Sequence, residues 1–490
     1  MPRPEPHGIS RRSILRGAAV AGAGAAISPL LNLSTASAAT GSYTIRFDQA
    51  RKQTILGLGF EIQSDSIGSG NNGLPATVAG VPYDLTPSER TRFYQQMLMA
   101  GRTDRGFRYC RLALGLYHRG VDPTGMQIID RYDGQTALLA DMISRTRIEG
   151  VAAEYWSPAP GWKINNSLLL GKLASFDPAF LDQLGDAMVG DLDYLSTRGV
   201  PISMWGLQNE PEASPAYSAC QYTPDEYVKT FKAVAPKIKA RYPNATIHAE
   251  SRDGWTSEWG RAITADPVAL SYVDAWTFHR IGEESDRQRT RNFTSGASGK
   301  PVFNNEFEYL KGGTSDDRTL NTAQSIMNWM TFQNSPTWFW LHALKPTTNS
   351  ESPGYSLGFW RPPHDTDFSP NHFPDLPVGH WTWNPQNWNA VAGFVKYLPW
   401  NSVRYGVDES TQLANQRIMA WKTPDGKPVF AITNRSATDS FTYTVDTQTT
   451  AAFQGHRYGP ATNNQTIATR TGPTLTLTVP PLSIEFWVRT

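Results

Sequence analysis

The sequence predicts an α/β fold in which a (β/α)8 TIM barrel is followed by a C-terminal all-β sandwich. Eight short apolar runs alternate with helical patterns between about residues 53 and 400, which is typical of a barrel built from eight strand–helix units. Beyond residue 401 helix-length periodicity ends, and short strands alternate with turn residues instead. A chain of 490 residues with 39% hydrophobic and 18% charged residues can bury a core for both parts.

The predicted barrel strands are the apolar runs, and the segments between them carry helix signals. The runs are 55–60, 107–112, 150–156, 202–207, 245–250, 273–278, 301–305 and 337–341. The helix after the fourth run shows the clearest start. Thr223 is a suitable N-cap, Pro224 fits the first turn, and Asp225 and Glu226 lie near the positive end of the helix dipole. Apolar residues then recur at helical spacing, which predicts one face packed on the barrel.

The C-terminal part, residues 401–490, is predicted to be a separate β-sandwich domain. Asp425-Gly426 is a hairpin turn signal within it. Its predicted strands are the runs 417–421, 428–433, 440–445 and 483–488. A further strand within 42–52 precedes the barrel, and we expect it to join the sandwich. The barrel itself is therefore assigned to residues 53–400.

The first 38 residues are predicted to be an export signal rather than part of the fold. Arg11 and Arg12 lie in a segment that resembles the twin-arginine motif, and a weakly hydrophobic stretch follows to about residue 33. Ala36-Ser37-Ala38 is an A-x-A-type cleavage site. The alternative, a lone membrane anchor, suits this Ala- and Gly-rich stretch less well. Since no other segment is long enough to cross a bilayer, we expect a secreted protein without membrane contact once the signal is cleaved.

Charge and aromatic content narrow the class of partner. A formal net charge of +1 gives no electrostatic footprint for nucleic acid or an anionic membrane. The 16 Trp, 19 Tyr and 21 Phe residues fit a polysaccharide or oligosaccharide, because aromatic faces stack on sugar rings, although any one of them can equally be a core residue. Cys110 and Cys220 are too few for a disulfide framework, and whether they form one bridge stays open. We expect a monomer.

Two glutamates close predicted barrel strands on the face where barrel active sites are built. Glu210 follows the fourth run and precedes Pro211, which stops the strand. Glu306 follows the seventh run, and these two strands lie across the barrel mouth from each other. Glycoside cleavage requires such a pair: a gap of about 5–5.5 Å allows direct attack with retention, and about 6.5–9.5 Å leaves room for water. We expect repulsion and partial burial to raise the pKa of one carboxyl.

The motifs around these glutamates resemble clan A of the glycoside hydrolases, and most closely family 30, whose members join a barrel to a β-sandwich. The matching segments are 57–61, 156–163, 207–212 with residues 217–224, and 250–251. The resemblance covers most of residues 42–490 and implies Glu210 as acid/base and Glu306 as nucleophile. The family often has His-x-Tyr at its sixth strand, where this chain has His279-Arg280-Ile281. Tyr309 is a candidate for the missing hydroxyl.

Further side chains are predicted to contact substrate around the two glutamates. They are Asn209, Arg111, Trp156, Trp162, Glu250, His279 and Trp340. Asn209 offers an amide to a sugar hydroxyl, Arg111 ends the second strand and can hold the nucleophile ionised, and the three tryptophans are candidate sugar platforms with core packing as the alternative. Glu250 and His279 can equally be bonded within the barrel. Since His279 and His342 lack metal-ligand spacing, neither a metal nor a cofactor is predicted.

The predicted function is retaining hydrolysis of β-glycosidic bonds in an extracellular polysaccharide. The resemblance implies galactan or arabinogalactan first, with xylan and glucan as alternatives. A non-catalytic glycan-binding barrel is the alternative of a different class. An aldolase or phosphate-binding barrel is disfavoured, because we find no lysine at a predicted strand end, and Gly-rich residues 68–73 lack the Lys-Ser/Thr of a phosphate loop. The long segment 346–388 follows the eighth strand, so we expect it over the mouth, where it could impose exo action.

Overall fold

The computed structural model describes residues 39–62, 85–102, 104–215, 217–253, 258–281, 298–308, 317–346, 352–361 and 375–490. The predicted export signal, the Gly-rich residues 68–73 and Tyr309 lie outside the described residues. Within the described ranges, no helix combines the length and the apolar character needed to span a membrane. By its contacts, Ala38–Thr490 forms a single unit, so the two β-rich parts pack together.

All eight predicted barrel strands are present, and they form a closed parallel barrel. Barrel strands 1 to 8 are Gly59–Ile62, Tyr109–Leu114, Gly150–Tyr155, Ile202–Gly206, Thr246–Asp253, Ala275–Ile281, Val302–Glu308 and Trp338–Pro346. Each strand pairs in parallel with the next, and the barrel closes because strand 8 pairs in parallel with strand 1. The fold class predicted from the sequence is confirmed.

Helices connect the barrel strands and cover the outside of the barrel. The α-helices are Pro87–Arg92, Gln135–Arg145, Pro178–Ser196, Pro224–Arg241, Glu258–Ala265, Pro267–Tyr272, Arg318–Phe332, Ser352–Tyr355 and Pro385–Tyr397, with a π-helix at Phe93–Leu98 and a 3-10 helix at Pro160–Trp162. The predicted start at Thr223 is a full capping box: its side chain accepts from the Glu226 N–H, and the Glu226 carboxylate accepts from the Thr223 N–H.

The segment after barrel strand 8, predicted as a long loop, contains two strands. Ser356–Trp360 pairs in parallel with barrel strand 8, and Trp381–Trp383 pairs antiparallel with Ser356–Trp360. Residues 347–351 and 362–374 lie outside the described residues. The part that the structure describes therefore extends the sheet beside the barrel, and the expected cover over the mouth stays a prediction.

Two sheets, in which most neighbouring strands are antiparallel, form the sandwich. One contains Ala39–Ile45, Val407–Glu409, Phe441–Asp446 and Thr474–Val479; the other contains Gln53–Ile55, Ser402–Tyr405, Ile418–Lys422, Pro428–Asn434, Ser483–Arg489, Ala452–Gly459 and Thr462–Thr471. The early strand joins the sandwich, as expected from the sequence, through pairing of Ala39–Ile45 with Phe441–Asp446. Side chains such as Tyr43, Phe430 and Trp487 form the core of this part.

The predicted first barrel strand, 55–60, is divided between the two parts of the fold. Gln53–Ile55 pairs with Ser402–Tyr405 of the sandwich, and barrel strand 1 begins only at Gly59. Between them Gly57 has a φ of 137°, and a side chain there would meet the Trp400 ring. The barrel boundary predicted at residue 53 is therefore wrong by about six residues, since one continuous apolar run serves two different sheets.

The inside of the barrel is apolar at its base and polar above it. Six inward-facing residues form the base: Tyr109, Ala152, Met204, Ala275, Phe303 and Phe339. On four of these six strands, the residue two positions further along on the same face is polar. Examples are Arg111, Glu154, Thr277 and Asn305, all of which are buried. The sequence therefore places charged side chains at the carboxyl ends of the strands, above a closed hydrophobic layer.

Cys110 and Cys220 are both buried and free. Cys110 lies on barrel strand 2, and Cys220 follows barrel strand 4 in the loop before Pro224–Arg241. The bridge that the sequence left open is therefore not formed.

Candidate active site

Glu210 lies in the loop that follows barrel strand 4, in a strained backbone conformation. Its φ is 44°, in the left-handed region, and its N–H donates to the Ser251 carbonyl oxygen at 3.0 Å. A non-glycine residue held there costs about 1–3 kcal/mol, and such residues cluster at functional sites. The side chain is 22% exposed at the barrel mouth. The fold thus holds the Glu210 backbone in a strained conformation and presents its carboxylate where a ligand can reach it.

Glu306 lies near the end of barrel strand 7 and contacts a buried arginine. Arg111, from barrel strand 2, donates through Nη1 to Glu306 Oε2. The same guanidinium donates to Glu61 at 3.0 Å, to Glu154 at 2.6 Å and to Asn209 Oδ1 at 2.6 Å. One cation therefore contacts three carboxyl groups, and it holds Glu306 in a fixed orientation by a charge-assisted bond. The predicted position of Arg111 beside Glu306 is the one observed.

His279 connects the two glutamates. Its Nδ1 lies 3.1 Å from Glu210 Oε1, and its Nε2 lies 3.6 Å from Glu306 Oε2. The imidazole is fully buried on barrel strand 6. Two carboxylates 96 positions apart in the sequence therefore meet on either side of one ring, as the count of strands predicted.

The direction of the pKa shifts differs from the one expected. Burial alone would raise the pKa of Glu210, but the hydrogen bond and charge of His279, with Arg111 and Arg252, lower it. Burial likewise opposes protonation of His279, yet the charge of Glu306 and the hydrogen bond to Glu210 raise the pKa of this imidazole. The expectation of a raised pKa on one member of the pair is therefore wrong for Glu210, because a histidine lies between the carboxylates. The two shifts have opposite directions, and both favour the charged forms of Glu210 and His279.

Glu308, the neighbour that competes with Glu306 in the sequence, is a buried carboxyl of a different kind. Burial, followed by the charge of Glu306, raises the pKa of Glu308 well above its ordinary value. Burial also raises the pKa of Glu61 to about 8, against the opposing charge of Arg111. A protonated carboxyl is a poor nucleophile. Of the two neighbours on barrel strand 7, Glu306 is the one that contacts a permanent cation.

A lysine ends barrel strand 8, contrary to the sequence analysis. Lys345 is buried, and its Nζ lies 3.3 Å from the Tyr117 hydroxyl. Tyr117 in turn lies 3.4 Å from His342 Nε2, and His342 Nδ1 lies 3.3 Å from Glu61. Lys345 lies beyond the predicted eighth run, which ends at residue 341, whereas the strand continues to Pro346. A row of closely spaced polar side chains, Lys345, Tyr117, His342 and Glu61, therefore lines the strand 8 side of the mouth.

Two of the three predicted sugar platforms are core residues. Trp340 is fully buried between Phe307 and Trp338, and its Nε1 donates to the Tyr355 carbonyl oxygen at 2.9 Å. Its neighbour Phe339 faces the barrel interior, so Trp340 must face outward. The prediction for Trp340 as a platform is thus wrong.

Trp162 is also buried, 5% exposed, and packs edge-on against Phe180. Its Nε1 donates to the Met126 carbonyl oxygen at 2.8 Å, so it fixes a loop and offers no free face. Trp156 does lie at the site, where the Arg111 guanidinium stacks over its ring at 4.5 Å. The Trp156 ring therefore packs against Arg111, and Asn209 accepts a hydrogen bond from the same arginine.

Glu250 does not face the mouth, in contrast to the prediction. Glu250 and Ser251 both have positive φ, 88° and 49°, and the register with barrel strand 6 shifts here. The Glu250 carboxylate lies against Gly260, where any side chain would overlap its Oε1. Ser251 takes the inward position and accepts from Asn305 Nδ2 at 2.9 Å. A β-bulge exchanges the two side chains, and bulges of this kind carry no reliable sequence signal.

Among the described residues, no group of three or more His, Cys, Asp or Glu side chains has the arrangement of a metal site. The carboxylates, imidazoles and guanidinium of the site can carry out acid–base and charge–charge chemistry. Its members come from barrel strands 1, 2, 3, 4, 6, 7 and 8, which only the closed barrel brings together.

We predict that His279 sets the alkaline limit of activity. At pH values below the raised pKa of His279, the imidazole holds a proton beside Glu210. As the pH rises through that pKa, the proton is lost. His279→Gln leaves Glu210 to hold the proton alone, so the alkaline limb of the kcat/KM profile should move to lower pH by at least about one unit.

The matched control for this prediction is His248→Gln. His248 is also buried in the barrel and hydrogen-bonded to Thr277 at 2.9 Å, but burial lowers its pKa to about 4, so this imidazole does not titrate in the range of the alkaline limb. Profiles measured from pH 4 to 9 should show the limb of this variant at its original position. A limb that stays in place in His279→Gln would contradict the assignment.

Comparison with solved structures identifies proteins that share the fold of this chain. No protein-family model and no curated protein matches this sequence. The catalytic domain of a GH30 xylanase C from Talaromyces cellulolyticus is 18% identical and superposes with a TM-score of 0.67 over 92% of this chain and 100% of that one. A GH30 subfamily 8 xylanase from Clostridium acetobutylicum is 17% identical, with a TM-score of 0.65 over 91% and 99% of the two chains.

A third solved structure, an endo-β1,6-glucanase, is 14% identical, with a TM-score of 0.65 over 91% of this chain and 94% of that chain. The similarity in each case extends over both the barrel and the sandwich. The barrel-plus-sandwich fold expected from the family 30 resemblance is therefore confirmed, at identities where the fold alone is shared.

Proposed function

We propose that this protein is a glycoside hydrolase that cleaves β-glycosidic bonds with retention of configuration. The observation that carries the proposal is the meeting of Glu210 and Glu306 on either side of His279 at the barrel mouth, with Arg111 bound to Glu306. The fold that the chain shares with solved glycoside hydrolases supports the same reaction. In this proposal Glu306 is the nucleophile and Glu210 the acid/base.

The first step forms a covalent intermediate. The Glu306 carboxylate attacks the anomeric carbon, the bond to the leaving oxygen breaks, and Glu210 delivers a proton to that oxygen. Glu210 obtains this proton from His279 Nδ1, which lies 3.1 Å from its Oε1. In the second step Glu210 accepts a proton from water and returns it to His279 Nδ1, while the hydroxyl attacks the anomeric carbon and the ester to Glu306 breaks. Two inversions leave the original configuration.

The assignment of roles follows from exposure and charge. Glu210 is the more exposed of the two, 22% against 11% for Glu306, which suits a group that must meet both a leaving oxygen and incoming water. Glu306 is held by Arg111, whose guanidinium stabilises the negative charge that a nucleophile needs. Glu308 is the weaker candidate for the nucleophile, because burial and the charge of Glu306 raise the pKa of its carboxyl well above the ordinary value.

The identity of the sugar that the protein cleaves is also a proposal. The sequence favours galactan or arabinogalactan, with xylan and glucan as alternatives, and the solved relatives named above are xylanases and a β1,6-glucanase. A panel of β-galactosides, β-xylosides and β-glucosides, together with the matching polysaccharides, tests these alternatives by release of reducing sugar. Secretion through the twin-arginine route and a monomeric state are likewise proposals, tested by signal cleavage in the medium and by light scattering.

We predict that Glu210→Gln lowers kcat/KM for hydrolysis by about 10²–10⁴-fold, because the amide cannot donate the proton. The loss should be smaller for 2,4-dinitrophenyl glycosides, whose leaving group departs without protonation. Glycan binding, measured by calorimetry, should survive. Proton NMR of the first sugar released by the wild type should show the β-anomer.

Glu212→Gln is the matched control, since Glu212 lies two residues away and is engaged by Arg252 at 2.5 Å. An α-anomer as first product would refute retention. A wild type that binds glycans and hydrolyses no member of the panel would instead favour the non-catalytic glycan-binding barrel.

A further inference from the structure

A second cavity lies on the outside of the barrel, where helices of the barrel meet the sandwich. Its volume is about 230 Å³, whereas about 10–15 Å³ suffices for one water molecule. The described residues that line it all lie outside the barrel strands, so it is separate from the mouth. We call it the junction groove and define it by its larger side chains: Gln96, Trp383, Trp388, Lys396, Tyr458 and Asn464.

The junction groove has three walls from distant parts of the chain. One wall is the π-helix Phe93–Leu98 with the turn that follows it, and a second is the helix Pro385–Tyr397. The third is the sandwich strand pair Ala452–Gly459 and Thr462–Thr471. The groove therefore exists only because the sandwich packs against the barrel.

Tryptophans form the apolar side of the junction groove. The ring centroids of Trp383 and Trp388 are 4.6 Å apart at 34°, and Trp381 contacts Trp383 edge-on at 4.7 Å. Trp388 is 5% exposed, whereas Trp383 is only partly buried. The Trp383 ring is thus fixed by two buried rings before any ligand binds, and it offers a flat aromatic surface of the kind that packs on sugar rings.

The junction groove is elongated and open. Trp388, Ala392 and Lys396 recur at every fourth residue, so one face of their helix lines the groove over about 12 Å. The side chain in the middle of this face is a small one. On the opposite wall, a side chain added at Gly101 would meet nothing within 4 Å. This shape suits an extended chain better than a compact ligand.

The sandwich contributes an oriented amide to the junction groove. Asn464 Oδ1 accepts from the Tyr397 hydroxyl at 2.6 Å and from the Tyr458 hydroxyl at 3.0 Å. Both bonds use the amide oxygen, so in the part of the chain that the structure describes the N–H groups of this amide are free to donate. The two tyrosines thereby fix which end of the amide a ligand meets.

The helices contribute further donors. Burial, then the positive charge of Arg102, lowers the pKa of Lys396, and no carboxylate among the described residues forms an ion pair with this lysine. Gln96 is exposed on the π-helix. Together with Asn464, these side chains present N–H groups, and the hydroxyl and ring oxygens of a sugar can accept from them.

The backbone beside the junction groove is irregular. A π-helix is rare in proteins and frequent at functional sites, and this one borders the groove. The chain then passes through Ala100, whose φ of 49° lies in the left-handed region that a non-glycine residue adopts only at an energetic cost. An irregular backbone and a donor-rich aromatic groove therefore coincide at one place.

We propose that the junction groove is a second, non-catalytic glycan-binding site. One sugar ring stacks on Trp383. Gln96, Lys396 and Asn464 then donate to the oxygens of that ring and its neighbour. A chain held here stays near the mouth, because binding at a second point on one polymer raises the effective concentration at the first. For the class of ligand, this inference rests on the proposed function.

The test measures binding in Glu210→Gln/Glu306→Gln, a background that cannot cleave the ligand. Native gels containing arabinogalactan, xylan or β1,6-glucan report the affinity through retarded migration. In this background Trp383→Ala should weaken binding to the most retarding polysaccharide at least about fivefold, since covering about 50 Å² of the indole is worth about eightfold. In the active enzyme, Trp383→Ala should lower kcat/KM on that polymer at least about threefold. It should leave kcat/KM on a 4-nitrophenyl glycoside within about twofold of the wild type.

Two further variants separate sugar binding from packing. Gln96→Met keeps the length and helix propensity of an exposed side chain but removes its donors, so polymer binding should weaken at least about twofold without any change to the tryptophans. Trp400→Ala is the matched control. Trp400 is also partly buried and follows the same helix, but it lies outside the junction groove and donates to the Gly106 carbonyl oxygen at 2.7 Å. Its variant should bind polymer as tightly as the background does.

Unchanged polymer binding in both Trp383→Ala and Gln96→Met would overturn the inference and leave the proposed reaction intact. Equal losses on polymer and aryl glycoside in Trp383→Ala would also overturn it, as would a background variant that binds none of the three polysaccharides. A wild type that hydrolyses nothing, with polymer binding that still depends on Trp383, would remove the proposed reaction and support the second site.

Discussion

Glu306→Ala is expected to lower hydrolysis at least about 10⁴-fold, and sodium azide should restore cleavage of an activated aryl β-glycoside. Without the carboxylate no covalent intermediate can form, so the two-step route is lost. Azide fits the space left by the side chain and attacks the anomeric carbon from the same side, displacing the leaving group. A single displacement inverts the configuration, so the expected product is the α-glycosyl azide, identified by NMR.

Glu308→Ala is the matched comparison for this experiment. Glu308 lies two residues away on the same strand, is equally buried, and is the alternative nucleophile. Its variant should retain at least about a tenth of the activity and show no azide rescue. Glu306→Gln should be as inactive as Glu306→Ala and should fold normally by circular dichroism. If azide rescues Glu308→Ala instead, the roles of the two carboxyls must be exchanged.

Arg111→Met is expected to destabilise the fold by about 3–5 kcal/mol, in addition to abolishing activity. The guanidinium is buried and contacts Glu61, Glu154 and Glu306. Removing one partner from a buried ionic cluster leaves uncompensated charge, which costs far more than the net contribution of an exposed pair. Urea unfolding at pH 7 would measure the loss of unfolding free energy. The dependence of that free energy on urea concentration should be the same for Arg111→Met and the wild type, which checks that the two unfold comparably.

Arg145→Met serves as the control for the Arg111 experiment. Arg145 forms an exposed pair with Asp141 at 3.4 Å, so its loss should change the free energy of unfolding by less than about 1 kcal/mol. Lowering the pH should reduce the cost of Arg111→Met, because the acids around it become protonated and need no cation. A loss below about 1 kcal/mol for Arg111→Met would show that the cluster is solvated and would weaken its assigned role at Glu306.

Several features could be predicted from the sequence because local rules decide them. Eight apolar runs with helical spacing between them define the barrel, since strand and helix periods differ along the chain. Glu210 and Glu306 stand at strand ends, and parallel strands of a barrel bring all such ends to one face. Arg111 was placed beside Glu306 by the same reasoning. Turn residues and alternation identified the sandwich.

Other features depend on register and facing, which only the tertiary structure decided. The bulge at Glu250 turns that carboxylate away and brings Ser251 inward, and Trp340 faces outward because Phe339 fills the barrel base. His279 reverses the expected pKa shift of Glu210 because both carboxylates reach the same ring. Local sequence determined which elements form and where their charged ends lie. The closed barrel determined which side chains meet, because those contacts join residues far apart in the chain, and a single inserted residue in a strand changes the face.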